Sequence, residues 1–288
     1  MNKNLGLIVS VLSAIAFGLY PAATQKAYAQ GANPSYLIVS TTLLRALFLY
    51  LLCISQSKSL ALKKENRKQI LMAGFFQSLS IFGILGSVVY LPGAVTIVIT
   101  FTHTIMLLLF TSYKRGEKLS PLAIGVSLAT LFGVGLVVDV WSFEGSMHPV
   151  GLSLAGLSAI ATTARLYLFE SQLKKTDASV VGAQIFFVTL IFTLMLWFFI
   201  PPHLPQSIAG HIWVMLASAS LVLGTVGMFY GIKLIGGFEF SLYTNLEPIF
   251  TAFFSFLLLG EILSLHTYLG LLIVVASLVF YKLTSRKV

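Results

Sequence analysis

The sequence contains very little charge. Only 9% of its 288 residues are Asp, Glu, Lys or Arg, whereas a soluble globular domain carries about 25%. A chain of 31.3 kDa cannot cover a water-facing surface with so few ionised side chains. This scarcity excludes a soluble enzyme, a disordered protein and a nucleic-acid-binding domain, although the formal net charge is +9.

Residues that carry redox and hydrolytic chemistry are equally scarce. The single cysteine, Cys53, excludes an intrachain disulfide and a thiol metal cluster, and we expect it to pack within its apolar run. The two aspartates, Asp139 and Asp177, both lie at the edges of apolar runs. The sequence contains neither HExxH nor GxSxG, and no GxxxxGK[ST] loop for ATP. It therefore predicts no catalytic residues, no metal, no cofactor and no enzymatic activity.

Apolar residues, by contrast, make up 57% of the chain, and the mean hydropathy is +0.94. A membrane-spanning helix needs about 20 mainly apolar residues. Reading for such stretches predicts an all-α membrane protein with ten transmembrane helices, at 5–26, 35–55, 69–90, 93–113, 120–138, 149–172, 178–200, 211–232, 238–259 and 264–283.

The basic residues indicate how these spans are oriented. With the N-terminus in the cytoplasm, 15 of the 18 bases fall in cytoplasmic segments, only Lys26 falls on the opposite side, and Arg45 and Arg165 lie within spans. This distribution follows the positive-inside rule. We therefore expect a multi-pass protein of a bacterial inner membrane with both termini in the cytoplasm.

The two halves of the sequence resemble each other. Leu12-Ser13-Ala14-Ile15-Ala16 recurs 145 residues later at 157–161, and Gly116-Glu117 recurs 144 residues later as Gly260-Glu261. Each half holds five spans, an odd number, so the second half must enter the membrane upside down. The predicted repeats are 1–144 and 145–288. Inverted repeats are typical of secondary transporters, while a passive channel stays an alternative.

The sequence also resembles EamA-type members of the drug/metabolite transporter superfamily. The similarity lies in Leu43-Leu44-Arg45-Ala46, in 230–233 and 241–248, and in Leu259-Gly260-Glu261 followed by Gly270. It implies ten helices and solute transport by alternating access, most often export of amino acids or other metabolites. It further implies a central cavity lined mainly by the first, third, fourth, sixth, eighth and ninth spans. Arg165 departs from the aromatic or apolar residue that the family pattern implies there.

Four ionisable residues lie inside the predicted spans: Arg45, His103, Arg165 and Glu247. Ionisable groups at membrane depth are costly, so they are candidate functional residues. His103 and Glu247 are separated by 144 residues, as are Thr100 and Thr244. The repeat should bring these polar stripes together at the centre. The predicted substrate-binding residues are Tyr20, Gln77, Thr100, His103, Arg165, Thr244, Asn245 and Glu247, with Glu247, His103 and Arg45 as candidates for coupling or for a structural ion pair.

Each of these residues also has a structural interpretation. Glu247 would pair with an arginine, and His103 would be a packing histidine. Arg45 would hold helices together, because its span is not expected to line the cavity. Arg165 would reach the headgroups or pair with Glu170. Tyr20 and Gln77 are interhelical hydrogen-bond candidates first and ligands second.

The function predicted from these observations is secondary active transport of a small organic solute, an amino acid or related metabolite. Arg165 would bind its carboxylate, and Glu247 with Asn245 its ammonium group. Proton coupling through Glu247 or His103 is an option, since burial favours the neutral form of a carboxyl group. The alternative is uptake or exchange of a larger cofactor, nucleoside or nucleotide-like metabolite. The expected partners are the solute and the lipid bilayer, without nucleic acid, and a monomer is compatible with the sequence.

Overall fold

The computed structural model describes residues 3–142 and 146–285, and its regular elements in these ranges are all helical. A single 3-10 turn, Val140–Ser142, separates the two halves. The first half contains α1 (Lys3–Tyr28), α2 (Pro34–Ser55), α3 (Lys64–Ser87), α4 (Gly93–Phe101), α5 (His103–Arg115) and α6 (Pro121–Val137). The second contains α7 (Pro149–Leu173), α8 (Ala178–Leu194), α9 (Leu196–Phe199), α10 (Ile208–Ile235), α11 (Gly237–Thr244), α12 (Glu247–Leu259) and α13 (Leu265–Ser285).

These helices confirm the ten predicted spans. Nine of them, in the described residues, are long and apolar enough to cross a membrane, and α6 is a shorter apolar helix of 17 residues. Three spans are made of two consecutive helices: α4 with α5, α8 with α9, and α11 with α12. The third span begins at Lys64, five residues before its predicted start, because a polar turn precedes its apolar part.

Sequence signals set the helix ends. Asn33 and Ser120 precede Pro34 and Pro121, and their side chains accept hydrogen bonds from the N–H groups of the first helical turn. Gly116 and Gly260 stand immediately after α5 and α12, and both adopt a left-handed conformation. Glycine is favoured there because it has no Cβ to clash. The turns between the spans are therefore encoded locally.

Matching contacts relate the two halves. α1 packs along α10, and α7 packs along α3. In the first pair a Cβ on Gly227 would lie 2.9 Å from the Cβ of Ser13, and in the second a Cβ on Gly83 would lie 2.9 Å from that of Ser158. Ser13 and Ser158 are 145 residues apart, and the two glycines are 144 apart. The predicted boundary between the repeats, at 144 and 145, lies outside the described residues.

The bundle has two ends. We call the end where α1 begins and α13 ends the terminal end, and the other the opposite end. At the terminal end, Asp177 contacts Lys58 at 3.3 Å and Lys233 at 3.4 Å, which joins two connections between helices to the last turn of α10. Partial burial alone would raise the pKa of Asp177, but the two lysines hold that pKa below its usual range.

Candidate functional site

Two spans are broken at positions that the repeat relates to each other. α4 and α5 meet at Thr102, and α11 and α12 meet at Asn245 and Leu246. At each break the backbone tightens, so that N–H groups bond carbonyls three residues back. Thr102 donates to Ile99 at 3.2 Å, and Leu246 donates to Tyr243 at 3.2 Å. Broken helices at corresponding positions in two inverted halves are a structural pointer to a binding site.

An ionisable residue begins the helix after each break. His103 is the first residue of α5, and Glu247 is the first residue of α12. The N-terminus of a helix carries partial positive charge, which favours a carboxylate at this position. Pro248 has no N–H to donate to the carbonyl of Thr244, as its place in the sequence predicted. Glu247 therefore lies beside irregular, polar backbone within the bundle.

A cavity of about 190 Å³ lies at the level of the breaks. All four ionisable residues predicted from the sequence line it. Three further predicted residues, Gln77, Thr100 and Thr244, also line it. The structure therefore brings together seven of the residues singled out from the sequence. We call this space the central cavity.

Arg165 enters the central cavity from α7. Its Nη1 donates to Gln77 Oε1 at 3.0 Å, and its guanidinium carbon lies 5.8 Å from the centre of the Phe169 ring. Its buried Nε has no hydrogen-bond acceptor in the part of the chain that the structure describes. Arg165 is therefore held by neutral partners and keeps hydrogen-bonding capacity for a ligand.

Glu247 lines the central cavity from α12. Among the residues that the structure describes, no Lys, Arg or His nitrogen lies within the 4.0 Å of an ion pair with its carboxylate. Arg165 is close enough to interact with it electrostatically. The two opposite charges thus share a cavity without touching.

His103 is held by α4, the preceding helix of its own span. A ring nitrogen, Nδ1, lies 2.8 Å from the carbonyl oxygen of Thr100, and the ring centre lies 5.7 Å from that of Phe101. His103 is 7% exposed. These contacts support the packing interpretation of this histidine. Its proposed role in coupling stays a prediction.

Arg45 lines the central cavity, although its span was expected to lie outside the lining. Its Nε donates to the Thr41 carbonyl at 3.2 Å, and its Nη2 donates to Thr42 Oγ1 at 3.3 Å. Its guanidinium carbon lies 4.6 Å from the centre of the Phe186 ring, on α8. Arg45 of α2 and Phe186 of α8 thus join a lining that otherwise comes from the six expected spans.

Two predicted residues do not line the central cavity. Asn245 is 1% exposed and joins helices, since its Nδ2 donates to Thr130 Oγ1 at 2.8 Å and its Oδ1 accepts from Thr104 Oγ1 at 3.4 Å. Tyr20 packs beside a cluster that includes Ala23 and Val214. Their predicted roles in binding stay predictions.

Sequence reasoning did not single out several residues of the lining. Hydroxyl groups come from Ser80 and Thr162, whose side-chain oxygens are 2.7 Å apart, and from Thr225. Ser and Thr are frequent at helix contacts in membranes, so their presence carried no specific signal. The apolar side of the lining comes from Phe17, Ile84, Phe101, Leu166, Phe186, Met228 and Phe240.

A second cavity, which we call the vestibule, lies between the central cavity and the opposite end. It has a volume of about 440 Å³, and Phe101 and Glu247 line both spaces. Gln25 and Gly93 lie in its wall. Three cavities at the terminal end, around Lys58, Lys3 and Glu170, share no lining residue with the central cavity. Access to Glu247 is therefore easier from the opposite end.

Glu170 closes the terminal end. Its carboxylate accepts hydrogen bonds from Arg115 Nη2 at 2.6 Å and from the Gly237 N–H at 3.0 Å, and Lys174 Nζ lies 2.8 Å away. These contacts join α5, α7 and the start of α11. Sequence reasoning considered Glu170 only as a partner of Arg165, and the structure gives it these partners instead.

The family model of the EamA-like transporter family matches residues 4–139 and 149–282. The two matches correspond to the two halves of the bundle. The chain belongs to the EamA-like transporter family. It is accordingly a multi-pass membrane protein and a transporter of the drug/metabolite type, as its resemblance implied.

Solved structures support the fold of this EamA-like transporter. A crystal structure of another protein superposes with a TM-score of 0.84 over 99% of this chain and 98% of that chain. The two sequences are 13% identical, so the similarity concerns the fold alone. Curated protein sequences show no significant match to this chain.

Proposed function

We propose that this EamA-like transporter carries a small zwitterion of the amino-acid type by alternating access. One observation carries the proposal: Arg165 and Glu247 line the same cavity without an ion pair between them. A guanidinium binds a carboxylate through charge-assisted hydrogen bonds, and a carboxylate accepts such bonds from an ammonium group. A zwitterion would therefore satisfy both charges at once.

The size of the central cavity favours a small solute over a nucleotide-like one. Sites for drug-sized ligands occupy about 300–1,000 Å³. The central cavity has about 190 Å³, and aromatic side chains bound it on several sides. The alternative solute, a nucleoside or larger cofactor, is distinguished by the experiment below.

The charge distribution supports a cytoplasmic location of the terminal end. The bases at that end of the bundle include the two lysines that contact Asp177, and bases near the ends of spans remain on the cytoplasmic side. The vestibule then faces the exterior, where an exported solute would leave. Protonation of Glu247 from the vestibule would release an ammonium group, which provides a route for proton coupling.

The test is solute counterflow in proteoliposomes. Vesicles loaded with unlabelled amino acid should accumulate the labelled compound transiently through the wild-type protein. Glu247→Gln should lower this accumulation at least tenfold, because the amide no longer balances an ammonium charge. The matched control is Glu117→Gln, since the side chain of Glu117 is 60% exposed in a connection between helices.

Different outcomes contradict the proposal in different ways. Equilibration without transient accumulation would identify a passive channel. Counterflow of nucleosides, without counterflow of amino acids, would favour the larger class of solute. If Glu247→Gln kept full activity and an unchanged response to a proton gradient, Glu247 would take part in neither binding nor coupling.

A further inference from the structure

We infer that the solute is an acidic amino acid, whose two carboxylates and one ammonium group match Arg45, Arg165 and Glu247. This inference rests on the proposed function and concerns the charge of the solute. Its basis is the ionic composition of the central cavity, which holds two guanidinium groups and one carboxylate. A neutral zwitterion would balance only one of the two guanidinium groups.

The imbalance is not corrected by the protein around it. In residues 3–142 and 146–285, the ion pairs within 4.0 Å involve neither arginine of the cavity. A cation buried at membrane depth is costly unless it is paired or reaches water. A bound anion would supply the missing charge.

Arg45 is positioned to receive such an anion. It is 7% exposed, and it lines the central cavity. A guanidinium has five N–H donors, and the structure uses one on Thr41 and one on Thr42. The ring of Phe186 lies 4.6 Å away and fixes the guanidinium further. The group is therefore held rigidly while most of its donors stay unused within the described residues.

Electrostatic neighbours distinguish the two arginines. Arg165 lies within electrostatic range of Glu247, whereas Arg45, held by α2 and α8, lies within range of Tyr20 and Arg165. In an amino acid, the ammonium and the α-carboxylate are attached to one carbon, so they need receptor charges that are neighbours. We therefore assign the α-carboxylate to Arg165, the ammonium to Glu247 and the side-chain carboxylate to Arg45.

This assignment makes Arg45 the residue that determines specificity. The amide analogues asparagine and glutamine keep the shape of the solute but present no anion to Arg45. Succinate and glutarate keep both carboxylates but leave Glu247 without an ammonium partner and facing like charge. Inorganic phosphate lacks the ammonium as well. Acidic amino acids alone among these compounds satisfy all three groups.

The experiment compares these compounds as competitors of labelled aspartate and glutamate counterflow in proteoliposomes of the wild-type protein. We expect the acidic amino acids to reach half-inhibition at concentrations at least tenfold lower than their amides, than succinate or glutarate, and than phosphate. Labelled glutamine serves as a second substrate, so that loss of acid preference is separated from loss of transport.

Variants then locate the preference. Arg45→Gln should lower the ratio of acid to amide affinity at least tenfold, and Arg45→Lys should retain part of the preference because the charge remains. Arg165→Gln should weaken the binding of acids and amides alike, since both carry the α-carboxylate. Arg67→Gln is the matched control, because Arg67 is exposed outside the cavity.

The outcomes separate this inference from the proposed function. Counterflow of neutral amino acids at affinities equal to or above those of the acids would overturn the inference and leave the proposed function intact. Absence of counterflow for every amino acid would overturn both. The wild-type ratio needs no variant, so a failure of Arg45→Gln to fold does not remove the test. An unchanged ratio in folded Arg45→Gln would also overturn the inference.

Discussion

The two ends of the bundle are built from repeat-related residues, yet the contacts and the exposure of these residues differ. At the terminal end, Glu170 is 5% exposed and accepts a hydrogen bond from the Gly237 N–H. Their repeat counterparts at the opposite end, 145 and 144 residues earlier, are Gln25 and Gly93. Both are exposed in the wall of the vestibule. The residues at these two positions are thus hydrogen-bonded to each other at the terminal end and exposed at the opposite end.

The difference extends to charge. Arg115, the last residue of α5, pairs with Glu170, while its counterpart Leu259, the last residue of α12, carries no charge. The repeat therefore provides similar backbone at both ends, while the side chains that could close each end differ. Under alternating access, we expect closure of the terminal end to be the more stable arrangement, and Gln25 to approach Gly93 when the opposite end closes.

The largest expected effect concerns stability. Glu170→Ala removes the acceptor of a buried backbone N–H and two ion pairs, and a buried donor left unpaired costs about 1–3 kcal/mol. Arg115 and Lys174 are 45% and 64% exposed, so their share is screened by solvent. We expect a loss of about 2 kcal/mol in the free energy of unfolding, measured by denaturation in detergent.

Gln25→Ala is the comparison for Glu170→Ala. Gln25 is exposed, and a surface substitution changes stability by roughly 0.5 kcal/mol or less. Equal destabilisation by the two substitutions would show that the ends are energetically equivalent, and the comparison would fail.

A smaller effect should follow from introducing the two charges that the opposite end lacks. Gln25→Glu together with Leu259→Arg would reproduce the pair of Glu170 and Arg115 at the opposite end. A partly exposed ion pair contributes about 1 kcal/mol or less, which corresponds to a change of about fivefold in an equilibrium. Because closure of the vestibule would restrict access to Glu247, counterflow should slow by up to about fivefold.

The two single substitutions are the controls for this double variant. Neither should slow counterflow on its own, since each adds one charge without its partner. If Gln25→Glu alone slowed counterflow as much as the double variant, a local effect in the vestibule would account for the result, and closure would not.

Sequence patterns predicted the spans well for a physical reason. Crossing a bilayer requires about 20 apolar residues, so the signal extends over many positions. Pro248 also predicted irregular backbone in the ninth span. The equivalent break at Thr102 has no proline or glycine, and the break at Met195 between α8 and α9 has none either. These breaks depend on packing and left no local signal.

The candidate site was predicted only in part. Arg165 and Glu247 stood out because ionisable groups at membrane depth are rare. The rotation of each helix about its axis, however, depends on its neighbours. That rotation brings Arg45 into the lining, and it directs Asn245 to Thr130 on α6. A one-dimensional pattern contains no information on such neighbours.

The smallest expected effect tests the glycines that begin α4 and α11. A Cβ on Gly93 would meet no atom within 4 Å, whereas a Cβ on Gly237 would lie 3.2 Å from Glu170 Oε2 and 3.5 Å from the Leu166 carbonyl oxygen. Replacing a compatible glycine by alanine stabilises a protein by about 0.4–1 kcal/mol, because the unfolded chain loses freedom. Gly93→Ala should therefore raise the free energy of unfolding by about 0.5 kcal/mol. In Gly237→Ala the Glu170 carboxylate must shift, so this gain should be cancelled or reversed.

Denaturation of both variants in the same detergent measures the difference, and an equal gain at both positions would show that the contact between Glu170 and Gly237 does not hold the terminal end closed.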